Sequence, residues 1–288
     1  MFQKKKISSS CNRLQLSKTM NNFKRLFTAY RSGHLFYRLF SFLFAKILFS
    51  LPRTWRARLF RGDKYYCPVC GSQLSSFPPL FRPYHRWCPV CKSLARHRFV
   101  WIYFQRAKIP IHHKNLRILH IAPEDAIRDL FYSISKSHYI SGDLYDKNAM
   151  EKMDICAIDY PENSFDLIFC SHVLEHVDDD RQALREFHRV LSSEGLLMLM
   201  VPIFGEKTIQ DSSVTDPAER ERLFGQLDHV RAYGNDFVDI VVGEGFEVET
   251  IRPSDFATTE EVRLQQLDVQ DRLFVCKKSH SSTPCNSW

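Results

Sequence analysis

The stretch 163–202, NSFDLIFCSHVLEHVDDDRQALREFHRVLSSEGLLMLMVP, constrains the fold more than any other part of the chain. It opens with a run from Phe165 to Cys170 that is apolar except for Asp166. The run is too short for a helix and follows a turn, the pattern of a buried strand. Asp178 or Asp179 then supplies an N-cap, and Ala183, Leu184, Phe187, Val190 and Leu191 recur at helical spacing, so one apolar face turns toward a sheet. Gly195 reads as the stop of that helix and Leu196–Val201 as a second all-apolar strand. Two doubly buried strands joined by a helix make a parallel βαβ unit with a right-handed crossover. Ser171, His172, Glu175 and His176 follow the first of these strands, at the edge where doubly wound sheets bind ligands.

These residues also carry a resemblance. FDLIFCSHVLEH, followed by a helix ending REFHRVLSSEG, is similar to the central part of class I S-adenosylmethionine-dependent methyltransferases of the type 11-like kind, over about 115–278. Upstream, CPVCKSLARHR and LHIAPE resemble a bacterial subgroup that joins a CPxC/CPxC zinc ribbon to an LHxAPE first loop. The resemblance implies an α/β chain with a Rossmann-like, doubly wound, mostly parallel seven-stranded sheet, here preceded by a small zinc ribbon and a basic amphipathic helix.

The net charge of +7 over 288 residues conceals a division. Residues 1–115 hold 23 Lys and Arg against one acid, Asp63, whereas the remainder holds 17 against 32. A basic front half suggests an anionic partner surface, nucleic acid or acidic lipid, with a solvated tail as the plain alternative. Nine cysteines, four of them in two CxxC pairs, fit a reducing compartment and a metal site better than a disulfide framework.

The expected order is a basic, disordered lead over 1–33, an amphipathic basic helical segment over 34–62, a zinc ribbon over 63–98, a linker helix over 99–114, a methyltransferase domain over 115–278 and a disordered tail over 279–288. The lead is Lys- and Ser-rich without an acid, a candidate transit peptide by the signature of Arg/Ser bias without acids, and Met1 and Met20 are both candidate starts. Residues 34–51, HLFYRLFSFLFAKILFSL, are interrupted by Arg38 and Lys46 and terminated by Pro52. The segment reads as a helix lying in a membrane interface or packed on the protein's own domains, ahead of one that spans a bilayer. Location is expected to be cytoplasmic, with peripheral membrane contact through 34–51.

Cys67, Cys70, Cys88 and Cys91 stand as two CPVC knuckles at the spacing of a zinc ribbon. Four thiolates make a closed shell, so the expected metal is structural zinc. Arg82, His85, Arg86, Lys92 and Arg96 interleave with Phe81, Tyr84 and Phe99 around them, a pattern that suits nucleic acid or simple packing.

In the resemblance the first loop after strand Leu116–Ile121 is glycine-rich; here it is Ala122, Pro123, Glu124, with no glycine. That argues against a dinucleotide, whose pyrophosphate needs glycines, and leaves Glu124 to accept from the cofactor's ammonium. Asp143 ends the second strand 21 residues after Ala122, where a ribose-binding acid is expected. The resemblance gives Asp154 the adenine amino group, with Ile155 beside the ring and Asp159 as a competitor. Ser171 and His172 are expected to border the sulfonium. Farther on, Asp228, His229, Arg231 and Tyr233 offer an acid/base group, a cation and a phenol within six residues of an expected acceptor pocket. His229 is the first candidate base and His172 the second.

The reaction implied is methyl transfer from S-adenosylmethionine to an acceptor that is a small molecule, glycan or lipid precursor. The alternatives are an RNA methyltransferase gripping phosphates with ribbon and basic arm, and a cofactor-free interaction module on a methyltransferase fold.

Overall fold

The computed structural model describes residues 35–79, 86–106 and 116–279, with side chains from Ser41 onward. The expectations for the basic lead, for Phe81, Arg82, Tyr84 and His85, for 107–114 of the linker and for the tail from 280 lie outside these residues. The chain divides into two compact units. The first contains helix α1, Leu35–Ser50, which ends ahead of Pro52 as expected. Ser41, Ala45 and Leu48 form its buried stripe, while Phe42, Leu43, Phe44 and Ile47 are exposed. No described helix is long and apolar enough to cross a membrane.

The second unit begins with helix α2, Arg53–Leu59, and an antiparallel pair, β1, Arg61–Cys67, and β2, Ser72–Leu74. Cys67, Leu74, Phe77, Cys88 and Val90 form a small core there, against which Ala57, Phe60 and Tyr65 pack. Helix α3, Ala95–Arg106, follows. The expected linker helix is therefore displaced: it starts within the predicted ribbon boundary, and its apolar face is sheet core rather than spacer. Phe99, Val100, Ile102 and Phe104 are buried in one cluster with Ile118, Ile127, Phe131, Phe169 and Met198.

The chain then gives β3, Ile118–Ile121; helix α4, Asp125–Ser135; β4, Tyr139–Asp143; β5, Glu151–Lys152; β6, Phe165–Ser171; helix α5, Asp180–Val190; and β7, Leu191–Met200. After it come β8, Ile209–Gln210; helix α6, Pro217–Phe224; β9, Arg231–Ala232; helix α7, Phe237–Val242; β10, Phe246–Ile251; helix α8, Thr259–Gln265; and β11, Leu273–Lys278. Seven strands form one sheet in the order β10-β11-β7-β6-β3-β4-β5, while β8 and β9 pair separately. β11 is antiparallel to both neighbours and the other pairs are parallel.

Alternation along each strand feeds two faces. Leu119, Ile121, Ile168 and Leu199 pack with Leu184 and Phe187 of α5 and Phe237 of α7. Ile118, Leu167, Phe169 and Met198 pack with α3 and α4 on the other side. Both faces of the central strands are therefore covered, which is why β6 and β7 read as near-continuous apolar runs.

Gly195 plays a different part from the one expected. Helix α5 ends at Val190, with the Asp179 side chain capping its start. Phe165 pairs with Leu191 and Leu167 already with Leu196, so 192–195 bulge out of the ladder. A Cβ on Gly195 would lie 2.7 Å from the Leu191 side chain, so the glycine makes room for the bulge rather than capping a helix.

Candidate functional site

The strand order reverses between β3 and β6, because the chain leaves β3 toward β4 and β5 but leaves β6 toward β7. Crevices at such a reversal, outside the carboxyl ends of the strands, are where open α/β sheets bind ligands. The two residues that leave these strands share an unusual backbone: Ala122 has φ of 48° and His172 has φ of 55°. Their amides are fixed by Gly142 O at 2.9 Å and Met200 O at 2.8 Å. A left-handed turn at a residue with a Cβ costs about 1–2 kcal/mol, and such costs gather where a site dictates the backbone. Position 122 thus keeps the conformation a glycine would adopt, with alanine as the smallest residue that still carries a Cβ.

Ser171 lies beside Ala122, because the register places Ile121 against Cys170. Its Oγ is buried without a hydrogen-bond partner among the described residues. At the next strand ends, Met153 N donates to Asp143 O at 3.1 Å, which brings the segments bearing Asp143 and Asp154 side by side. The approach is close because Gly142 has no Cβ; one would meet Met153 Cβ and Sδ at 2.8 Å. Asp143 Oδ1 accepts from the Tyr145 and Asp146 amides, both at 2.6 Å, shaping the loop beyond β4. Asp154 is exposed, with Oδ1 accepting from Cys156 N at 2.9 Å. Ile155 is buried in the sheet core.

Glu124, expected to accept from the cofactor's ammonium, is engaged by protein partners. One carboxylate oxygen meets Arg96 Nη2, and the other lies 2.8 Å from His97 Nε2 and 3.3 Å from Arg96 Nε. Burial pulls this carboxyl upward, but His97 and Arg96 together outweigh it and hold the group well below the usual carboxylate range. His97 is oriented by the Leu94 amide, which donates to Nδ1 at 3.2 Å, so the Nε2–H is the one left for Glu124. The loop after β3 is thereby tied to α3.

On the other side of the reversal, His172 Nδ1 sits 3.2 Å from Glu175 Oε1. Glu175 is 1% exposed, and its Oε2 has no partner among the described residues. Burial raises this carboxyl, and the His172 hydrogen bond and charge reverse that and hold it low. The Val230 amide donates to Glu175 O at 2.9 Å, bringing His229 to the same turn. His229 is 1% exposed, with Nδ1 at 2.8 Å from Phe224 O and an unpartnered Nε2. The ring of His176 stands edge-on to it, 4.7 Å between centroids.

Two groups expected to face an acceptor are committed elsewhere. Arg231 is fully buried and donates to the carbonyls of Leu174 at 2.7 Å, Asp178 at 2.8 Å, and Val177. Tyr233 OH donates to Asp180 Oδ2 at 2.7 Å in the core. Both fix the turn after β6 instead of offering a free cation and phenol. Conversely, Asp271 escaped the sequence reading because one acid ahead of a strand resembles any loop residue. It leads into β11, whose start reaches the carboxyl end of β7, and its Oδ2 is buried without a partner among the described residues. Burial pushes its carboxyl up to about 7, with Asp268 adding to the shift and His172, Arg96 and Arg98 opposing it.

The four cysteines converge as the spacing predicts. Cys67 Sγ is 3.6 Å from Cys91 Sγ, and Cys70 Sγ is 3.7 Å from Cys88 Sγ. Sulfurs at the corners of a tetrahedron around zinc stand about 3.8 Å apart, and a disulfide would be far shorter. Each knuckle closes with an amide onto its first cysteine carbonyl, Gly71 N to Cys67 O and Lys92 N to Cys88 O, both 2.9 Å. Arg98 and Arg56 are buried beside the cluster, and burial lowers the pKa of both guanidinium groups against the opposing pull of negative charge on the cysteine sulfurs.

Comparison with known proteins addresses the sheet. The profile of the methyltransferase domain family matches residues 131–199, from within α4 through β7. This stretch is similar to that domain family over 69 of the 288 residues. A curated relative, a malonyl-[acyl-carrier protein] O-methyltransferase of Halorhodospira halophila, is 34% identical over 107 residues, 35% of this chain. The chain spans 36% of that relative's length. Similar solved structures include the YcgJ protein of Bacillus subtilis, at 16% identity, TM-score 0.43, 64% of this chain and 99% of that one. An S-adenosylmethionine-dependent methyltransferase from Mesorhizobium loti is similar at 17% identity and TM-score 0.45, over 63% of this chain and 98% of its own.

Proposed function

We propose that the chain transfers a methyl group from S-adenosylmethionine to an acceptor held at the β3–β6 reversal. The observation that carries this reading is the pair of left-handed residues, Ala122 and His172, at that reversal inside a sheet whose residues 131–199 are similar to the methyltransferase domain family. The donor set fits the cofactor. Asp143 keeps one carboxylate oxygen for ribose hydroxyls, Asp154 is exposed for the adenine amino group, and the Ser171 hydroxyl has no partner among the described residues. The backbone at Ala122 and Pro123 would border the amino-acid end. Glu124 would serve by anchoring that loop through Arg96 and His97, and Ile155 by packing beneath the adenine side. The cofactor supplies an electrophilic methyl carbon; the chain has to align an acceptor with it and exclude water.

For a hydroxyl acceptor we assign His172 as the base. Its Nδ1 is held by Glu175, so Nε2 is left for the acceptor, and the ring is partly exposed while His229 is buried. A small molecule, glycan or lipid precursor is the favoured acceptor, and the exposed apolar side of α1 would hold the chain at a membrane face. The four-cysteine centre would hold zinc in a closed, structural shell, and the enzyme would work in the cytoplasm or peripherally at a membrane. Calorimetry of the full chain with S-adenosylmethionine tests the central reading: binding is expected, Asp143→Ala should weaken it at least tenfold, and absence of heat at high micromolar ligand would refute it. The RNA alternative rests on the basic front half; steep loss of RNA binding with added salt would support it over the small acceptor.

A further inference from the structure

We infer that Glu175, His176 and His229 form a second metal site, for a divalent first-row transition ion held by two imidazoles and one carboxylate. One ligand atom from each of the three lies within 4.8 Å of the others. The protonation pattern follows from their partners. His229 Nδ1 lies 2.8 Å from Phe224 O and His176 Nδ1 lies 3.3 Å from Asp228 O. A carbonyl oxygen only accepts, so each Nδ1 carries the hydrogen and each Nε2 presents a lone pair. The third group, Glu175 Oε2, is an acceptor as well. Each of the three residues has a lone pair to offer, two of them are 1% exposed, and His229 Nε2 and Glu175 Oε2 lack any partner among the described residues, which calls for a cation.

The surroundings match those of metal-binding imidazoles, which usually donate their other N–H to a carbonyl. The carboxylate is oriented too, through His172 on Oε1. Arg231 grips the carbonyls of Leu174 and Asp178 on the turn that carries Glu175 and His176, and Val230 N to Glu175 O joins the His229 segment to it. The site is thus pre-shaped by main-chain bonds and independent of the four-cysteine cluster. Two nitrogens and one oxygen favour zinc, manganese, iron or cobalt over magnesium or calcium. Three protein ligands, one of them the partly exposed His176, leave coordination positions open, the arrangement of a reactive rather than a structural centre. On the methyltransferase reading above, on which this role rests, the open positions would hold an oxygen of the acceptor beside His172.

The test uses the full chain, stripped with a chelator, reloaded with excess Co2+ and desalted. Metal content should come to two ions per chain: one with intense thiolate-to-cobalt charge transfer from the cysteines, one with only weak visible bands. His176→Ala, at a partly exposed position that leaves the core untouched, should lose the weakly absorbing ion and keep the other. His229→Asn should do the same, with circular dichroism verifying the fold. A wild-type chain that binds a single ion, or a His176→Ala chain that retains both, would overturn the proposal. Calorimetry with S-adenosylmethionine on the wild type reads the methyltransferase assignment separately, since the metal count requires no methyl transfer.

Discussion

Arg98 offers the sharpest test of how the cysteine module is joined to the sheet. It is fully buried, and its guanidinium donates to Gln265 O at 2.6 Å, Ser93 O and Gln266 O at 2.8 Å, and Arg86 O at 3.3 Å from both terminal nitrogens. The same group lies 4.3 Å over the ring of Phe77. Arg98→Ala leaves the Gln265 and Gln266 carbonyls without this donor, each costing about 1–3 kcal/mol; Ser93 O keeps Cys88 N at 2.8 Å, and the lost side chain opens a cavity besides. A loss of about 5 kcal/mol follows, at the upper end of what single substitutions do. For a domain of this size that lowers Tm by about 10–20 °C, read by calorimetry on the metal-loaded chain. Arg98→Lys keeps the charge but not the planar fork and should fall in between. An Arg98→Ala protein melting within about 3 °C of wild type would refute the reasoning, because at about 2–4 °C per kcal/mol those carbonyls would then have cost almost nothing.

Four further outcomes are expected. Cys70→Ser should remove the metal of the cysteine centre, measured by elemental analysis, and lower Tm, since structural zinc sites contribute folding energy. Ala122→Val should destabilise by more than about 1 kcal/mol, because a branched side chain is a true outlier at positive φ; unchanged urea unfolding would show that the turn is not strained. Asp271, raised to about 7 by burial, is protonated when folded and ionised when unfolded between about pH 4 and 7. Stability therefore falls as pH rises through that window, and Asp271→Asn should flatten the slope in pH-dependent melts. His172→Gln should reduce methyl transfer to a hydroxyl acceptor by about 10²–10⁴-fold while leaving S-adenosylmethionine binding in calorimetry within severalfold.

Much of the fold was legible because periodicity and punctuation agreed. The strand opening at Phe165, the helix behind Asp179 and the strand ending at Asp143 occupy the residues the pattern indicated. Gly195 misled because a glycine after an apolar helix is ambiguous between a cap and a bulge; only the pairing of Leu191 with Phe165 decides it. The 99–114 segment misled because its apolar spacing shows a helix without naming the surface that covers it. The convergence of the four cysteines was readable from spacing, and so was the placement of Ala122, Asp143 and His172 at strand ends. Partners distant in sequence were not. Nothing local to Glu124 foretells Arg96 and His97, 28 and 27 positions upstream, and nothing near Arg231 foretells that the carbonyls of 174–178 consume it.

The bond between Glu124 and α3 carries a consequence for how the two halves communicate. Helix α3 leaves the second knuckle four residues after Cys91, and its first turn grips the loop on which a methyl donor would rest. Whatever ion occupies the sulfurs also sets the footing of that helix. Starved of it, the chain would loosen the loop after β3 while the central strands still stand, so that on the proposed function metal supply would tune turnover before it threatened survival of the fold.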